Sequence, residues 1–215
     1  LRTEHIDVYL IHAFDVGTPQ EETIRALDAL VRSGKVRYIG CCNHQAWHVC
    51  KALWIADSIN ATPYMCVQNM YNLLNRDLES NMFGLVQEEG LGVMAYSPLA
   101  VGLLSGVYSP GEPPPEGTLW ATRYRDEFDR RMSGATGQVI STLRRLAGEL
   151  GKTPAQLAVA WVLSHPEVTV AISGSDTRAQ LDDTLGGVGW ELDAAIREEL
   201  DRVSLPFVRL VPEPF

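Results

Sequence analysis

The chain has 215 residues, 46% of them apolar, with 18 Lys and Arg against 27 Asp and Glu and a formal net charge of -9. That length carries one sizeable hydrophobic core, read as a single domain over residues 1–215, and the acidic balance excludes a nucleic-acid or anionic-membrane footprint. No apolar run reaches the length of a membrane span and no signal-peptide pattern opens the chain, so the cytoplasm is expected. Four cysteines without C-x-x-C spacing (Cys41, Cys42, Cys50, Cys66) fit free thiols in a reducing compartment.

The first residue is Leu1 rather than Met, and a β-prone run over 6–11 begins almost at once, so the start reads as cut. A turn-rich stretch at 15–17 ends that strand. Thr18-Pro19-Gln20-Glu21 supplies an N-cap, a proline at the first helical position and Glu at N3, followed by Ile24, Leu27, Leu30 and Val31 at helical spacing and Gly34 at the end. The pattern repeats with a strand over 36–41, Asn43 as candidate cap, and an apolar stripe of Ala46, Val49, Cys50, Leu53 and Trp54. A third strand over 64–68 is answered by a helix through Leu78, Met82, Leu85 and Val86 that stops at Gly90. The fourth strand covers 91–96 and the fifth 168–172, with Thr177 and Gln180 opening its helix as a capping box. Between them lies an insert over 100–137, rich in Pro and Gly at 109–117 and densely charged at 123–131, which reads as a surface loop and candidate lid. Helices over 138–150 and 154–163 follow, the second capped by Thr153. A last helix covers 193–203, and the apolar, proline-rich tail 206–215 is expected to pack over the surface.

Strands alternating with helices imply an α/β fold with a parallel sheet, here an incomplete (β/α)8 barrel of the TIM type with five units of the eight. The arithmetic leaves three units missing at the front. Such a remainder has two open parallel edges, and the isolated chain is expected to be poorly stable.

In such barrels, polar residues at the carboxyl ends of strands face the site. Here those ends carry His12, Cys42-Asn43, Gln68, Tyr96-Ser97 and Ser173-Gly174. Four segments sharpen the pattern: Asp7-Val8-Tyr9-Leu10-Ile11-His12; Gly34-Lys35-Val36-Arg37-Tyr38-Ile39-Gly40-Cys41-Cys42-Asn43; Gln68-Asn69-Met70-Tyr71-Asn72; and Tyr96-Ser97-Pro98-Leu99-Ala100-Val101-Gly102-Leu103-Leu104-Ser105-Gly106. With them the chain resembles the aldo-keto reductase superfamily over essentially its whole length, and more closely the bacterial oxidoreductase and potassium-channel β-subunit-like branches.

The resemblance implies NAD(P)H-dependent reduction of a small aldehyde or ketone by hydride transfer. The family uses a tetrad of tyrosine, lysine, aspartate and histidine. His12 matches the histidine, whose neutral imidazole donates a hydrogen bond to the developing alkoxide. The other three belong to the first barrel strands, before Leu1, and neither Tyr9 within its strand nor Lys35 in a turn replaces them. Asn43 and Gln68 match the pair that holds the nicotinamide amide, a group their donor and acceptor amides suit. Cys42 stands where the family has serine, and its weaker thiol donor loosens that anchor. Tyr96 aligns with the aromatic that stacks on the nicotinamide. Ser97, Pro98, Leu99, Ala100 and Gly102 match the segment along the pyrophosphate.

Gly174 through Gln180 precedes a helix start, where unpaired N–H groups favour phosphate. The resemblance places the adenosine 2′-phosphate there, with Gln180, Asp183 and Thr184 nearest the adenine. Asp176 occupies a position usually small, polar or basic, and Thr184 one where asparagine is usual. A carboxylate repels a 2′-phosphate and accepts from a free 2′-hydroxyl, although Arg178 offsets this; NADP(H) is the family default and NAD(H) the alternative. His5, His44, His48 and His165 show no metal-ligand spacing, and no metal is implied. Two other readings stand beside the reductase: a cofactor-holding regulatory or interaction protein, and an inactive fragment.

Overall fold

A computed structural model describes residues 2–209. Five parallel strands, β1 (Ile6–Ile11), β2 (Val36–Cys42), β3 (Cys66–Met70), β4 (Gly92–Tyr96) and β5 (Val168–Ile172), lie in the order β1-β2-β3-β4-β5. Nine α-helices accompany them among the described residues, an arrangement consistent with part of a (β/α)8 fold. Contacts divide the chain into two compact units. Among the described residues, one comprises residues 2–69 and 78–94, and the other residues 70–77 and 95–209.

In the first unit, β1 pairs with β2 in the register Ile6↔Val36 to Ile11↔Cys41. Strand β2 then pairs with β3 as Gly40↔Cys66 and Cys42↔Gln68. Gly40 is required by close strand approach, because a Cβ there would stand 2.5 Å from the Cys66 carbonyl. This register levels the strand ends: Ile11, next before His12, stands opposite Cys41, and Cys42 stands opposite Gln68.

Helix α1 (Gln20–Arg32) buries Ile24 and Leu27. Its proposed capping box does not form, because the Thr18 hydroxyl donates to Asp15 at 2.6 Å and Pro19 takes the cap position without a side-chain bond. Gly17 N–H also donates to Asp15 at 2.8 Å, closing an Asx turn that competes with the cap. Gly34 follows α1 at φ +74, as its C-terminal role requires. Helix α2 (Ala46–Ser58) is capped by Gln45, not Asn43. Asn43 is itself left-handed, at φ +57, and its side chain is committed elsewhere. Helix α3 (Met82–Glu89) ends at left-handed Gly90.

The second unit is centred on α7 (Pro154–Leu163), whose residues 155, 157–162 are all buried. Its neighbours are α6 (Gly134–Glu149), α8 (Arg178–Leu185) and β5, and α9 (Ala194–Val203) packs on α6. The Thr153–Gln156 and Thr177–Gln180 capping boxes both form as the sequence implies. The segment read as a surface loop instead folds two short helices, α4 (Leu119–Thr122) and α5 (Arg125–Met132). Its charges alternate around α5 as Arg125–Asp129, Glu127–Arg130 and Glu127–Arg131 pairs, while Tyr108, Trp120, Phe128 and Met132 are buried beneath them. The part of the apolar tail beyond Arg209 lies outside the described residues.

Candidate functional site

The candidate residues fall into one group in each unit. In the first, Asn43 joins three strand ends. Its Nδ2 donates to the His12 carbonyl at 2.9 Å and its backbone N–H to the Gln68 carbonyl at 3.1 Å. Asparagine tolerates the left-handed conformation this geometry needs better than other non-glycine residues. The turn after it is fixed twice more: His44 Nδ1 donates to the Cys42 carbonyl at 2.8 Å, and the buried Asn69 donates from Nδ2 to the His44 carbonyl at 3.0 Å.

His12 is exposed, while Gln68 is half-buried and its side chain makes no hydrogen bond among the described residues. Cys42 is 4% exposed, and burial pushes its thiol pKa up, so it remains a protonated, weak donor. Two residues after His12, Phe14 stacks on His48 at 3.8 Å and 12°, with the Trp47 ring 3.8 Å from His48 on its other contact. Burial lowers the pKa of both His44 and His48, favouring their neutral rings.

In the second unit, Tyr96 ends β4 and its carbonyl accepts the Tyr71 N–H at 3.2 Å. The chain then turns through a run of positive φ: Ser97 (54), Ala100 (50), Val101 (56) and Gly102 (87). For alanine and valine this costs roughly 1–2 kcal/mol each. Pro98 is buried and Leu99 half-buried within the turn. Backbone bonds Ala100→Ser97, Leu103→Ala100, Leu104→Leu99 and Ser105→Gly102 close it, and the N–H groups of Leu99, Val101 and Gly102 donate to no described residue. Successive N–H groups left unspent in such a conformation, as at Val101 and Gly102, are a general means of binding anions. Asn72, 1% exposed, donates from Nδ2 to the Ser97 carbonyl at 2.9 Å.

At the start of α8, Gly174 is exposed and nothing lies within 4 Å of where its Cβ would be. Gln180 Oε1 accepts the N–H groups of Asp176 (2.8 Å) and Thr177 (3.2 Å), so its carbonyl is spent on the cap. Arg178 lies 3.5 Å from Asp182, and the Asp176 carboxylate is exposed. Asp183 accepts from Thr153 Oγ1 at 2.8 Å and Gln156 Nε2 at 3.1 Å, tying α8 to α7. Thr184 is 6% exposed and donates to the Gln180 carbonyl. Of the residues assigned to the adenine, Asp183 Oδ1 and the Thr184 hydroxyl therefore carry hydrogen bonds within the protein.

Sequence reasoning passed over Asn69 and Asn72. The available signal was an unusual one: asparagines directly following a β-prone run, where Val or Ile suits a buried strand end better. Among the described residues no cluster of three or more His, Cys, Asp or Glu is placed to hold a metal ion, and no helix is long and apolar enough to cross a membrane.

The Aldo/keto reductase family matches residues 1–204, and the chain belongs to that family. Among its relatives, the uncharacterized oxidoreductase YrpG of Bacillus subtilis is 36% identical over 203 residues, covering 94% of this chain and 60% of that protein. A probable voltage-gated potassium channel subunit beta of Arabidopsis thaliana is 31% identical over 189 residues, with 87% and 58% covered. Its counterpart in Oryza sativa subsp. japonica is 32% identical over 186 residues, with 86% and 57% covered. The chain thus spans 57% to 60% of the length of these curated relatives.

Proposed function

We propose that the chain holds the dinucleotide and orients the carbonyl in an NAD(P)H-dependent oxidoreductase that reduces aldehydes or ketones to alcohols, with NADP(H) as cofactor and NAD(H) as the alternative. The observation that carries the reading is the strand-end junction at Asn43, which fixes His12, Cys42 and Gln68 in register within a family whose members include a named oxidoreductase. All four cysteines are free, which supports a reducing compartment, the cytoplasm.

When bound, a reduced nicotinamide supplies the hydride that reaches the carbonyl carbon. The half-buried Gln68 amide offers a donor and an acceptor to the nicotinamide carboxamide, and Asn43 sets the backbone beside it. Cys42, held protonated, contributes a weak third donor. Tyr96 supplies the ring face for stacking, and residues 97–102 offer the pyrophosphate their unspent N–H groups. At α8, Gly174, Asp176 and the cap around Gln180 approach the adenosine phosphate, while Asp183 and Thr184 support that helix from within. His12 donates from its ring to the carbonyl oxygen, stabilising the negative charge that grows as the hydride arrives. No residue of this chain is given the proton donor's role.

The test is NADPH oxidation with aliphatic and aromatic aldehydes. Negligible turnover by the 215-residue chain is expected, since a missing general acid costs about 10²–10⁴-fold in rate. Robust oxidation by it would refute this assignment of roles. A second reading, a cofactor-binding regulatory protein, is favoured by the names of the two plant relatives. Aldehyde-dependent oxidation by any form of the protein that contains this chain, lost in His12→Ala, would decide for the reductase.

A further inference from the structure

Of the non-glycine residues at positive φ, three crowd into residues 97–101, and Val101 is the most unusual, because a β-branched side chain in that region is a genuine outlier. Such a conformation persists only where its surroundings over-determine it. Two side chains do so here, one at each end of the turn. Asn72 binds the Ser97 carbonyl, and its own Oδ1 is held by the Leu74 N–H at 2.8 Å. At the far end, the Trp120 indole Nε1–H donates to the Val101 carbonyl at 2.9 Å. Trp120 comes from α4, in the segment between β4 and α6, and is 5% exposed. Its ring lies 5.1 Å from Tyr124 and 6.1 Å from Phe128, and Phe128 lies 5.7 Å from Tyr108. The Val101 side chain itself is 45% exposed and is held by no packing comparable to that of Trp120. The constraint on its backbone therefore comes through its carbonyl.

We propose that Trp120 is a positioning residue for dinucleotide binding: its indole N–H locks Val101 in the left-handed conformation that aims the Val101 and Gly102 N–H groups outward. The inference rests on the proposed role of residues 97–102 and gives the insert a task. Its small aromatic core exists to present one hydrogen bond to the cofactor turn. Folding of the insert and readiness of the turn are thereby a single event.

The test is a double-mutant cycle on the 215-residue chain. Trp120→Phe keeps an aromatic ring in the cluster and removes the N–H. Val101→Gly removes the steric cost that the bond offsets, since glycine enters this region freely. Amide hydrogen exchange without ligand is read first. Trp120→Phe should speed exchange at Leu103, Leu104 and Ser105, whose N–H groups close the turn, and the same change in the Val101→Gly background should leave them near that background's rates. NADPH titration is read second. Trp120→Phe should weaken binding about tenfold, as loss of one buried hydrogen bond does, and by less than twofold when Val101 is already glycine. An equal loss in both backgrounds, or no effect of Trp120→Phe on exchange or affinity, overturns the proposal. A parent chain that binds no NADPH overturns the functional reading and with it the cofactor role of the lock, while the exchange data still report whether Trp120 holds the turn.

Discussion

Asn43 is the residue on which the first group of candidate side chains depends, and its replacement has separable consequences. Asn43→Ala loses the 2.9 Å bond to the His12 carbonyl, worth about 1 kcal/mol, and places a Cβ-bearing residue without a local hydrogen bond at φ +57, worth roughly another 1–2 kcal/mol. Asn43→Gly loses the same bond but carries no such conformational cost. Alanine is therefore expected to destabilise by roughly 2–3 kcal/mol and glycine by about 1 kcal/mol. For a chain of this size that corresponds to a melting-temperature loss of roughly 4–12 °C for alanine and about 2–4 °C for glycine. Urea titration followed by circular dichroism measures both, and NADPH affinity should fall in each because the His12 carbonyl loses its tether, while the backbone N–H at position 43 keeps its bond to the Gln68 carbonyl. A glycine variant as unstable as the alanine variant would refute the argument that the left-handed backbone at Asn43 carries the difference.

Asp176→Ser should shift cofactor discrimination toward NADPH, since it removes an exposed carboxylate beside the proposed 2′-phosphate position; equal NADPH-to-NADH ratios of dissociation constants before and after would sink that reading. Arg76→Met should destabilise by roughly 2–4 kcal/mol, because the buried guanidinium binds the Asp201 carbonyl (2.6 Å) and Ser204 Oγ (2.8 Å) and lies 5.4 Å over Trp161, with Asp201 partly exposed and so only partly stranded. Chemical denaturation measures it, and a loss below 1 kcal/mol would contradict the assignment. Acid should destabilise the fold through His44 and His48. Burial holds their pKa below the unfolded value near about 6.5, so the unfolded chain takes up protons first, and stability present above that pH is lost as pH falls below it. Melting temperatures from pH 8 to pH 5 should show this acid limb, and His44→Asn should flatten it; an unchanged limb would assign the effect elsewhere.

The five strands were legible because each is a short apolar run bounded by turn residues, and β1 and β5 have the limits the sequence implies. The caps at Thr153 and Thr177 were legible for the same local reason. Thr18 was not, because Asp15, three residues earlier, competes for its hydroxyl. Helices α4 and α5 were hidden by composition: Pro and Gly precede them and charge dominates α5, while the aromatic residues that bury its inner face are spread across residues 108–128. The strand-end residues could be named in advance, yet what holds them could not. Asn69, Asn72 and Trp120 act through carbonyls 19 to 25 residues away in sequence, a relation that no periodicity records. Asp183 shows a related case: its Oδ1 also accepts from Thr153 and Gln156, a tie between α8 and the start of α7 that the sequence did not reveal.

The central claim is that these strand ends hold a nicotinamide dinucleotide, and the most direct measurement is amide hydrogen exchange of the 215-residue chain titrated with NADPH and NADH. Saturable protection at Cys42 and Asn43, at Gln68 and across residues 97–102, with the remainder of the strands unchanged, is the predicted result. Absence of saturable binding, or protection confined to other segments, would contradict the account.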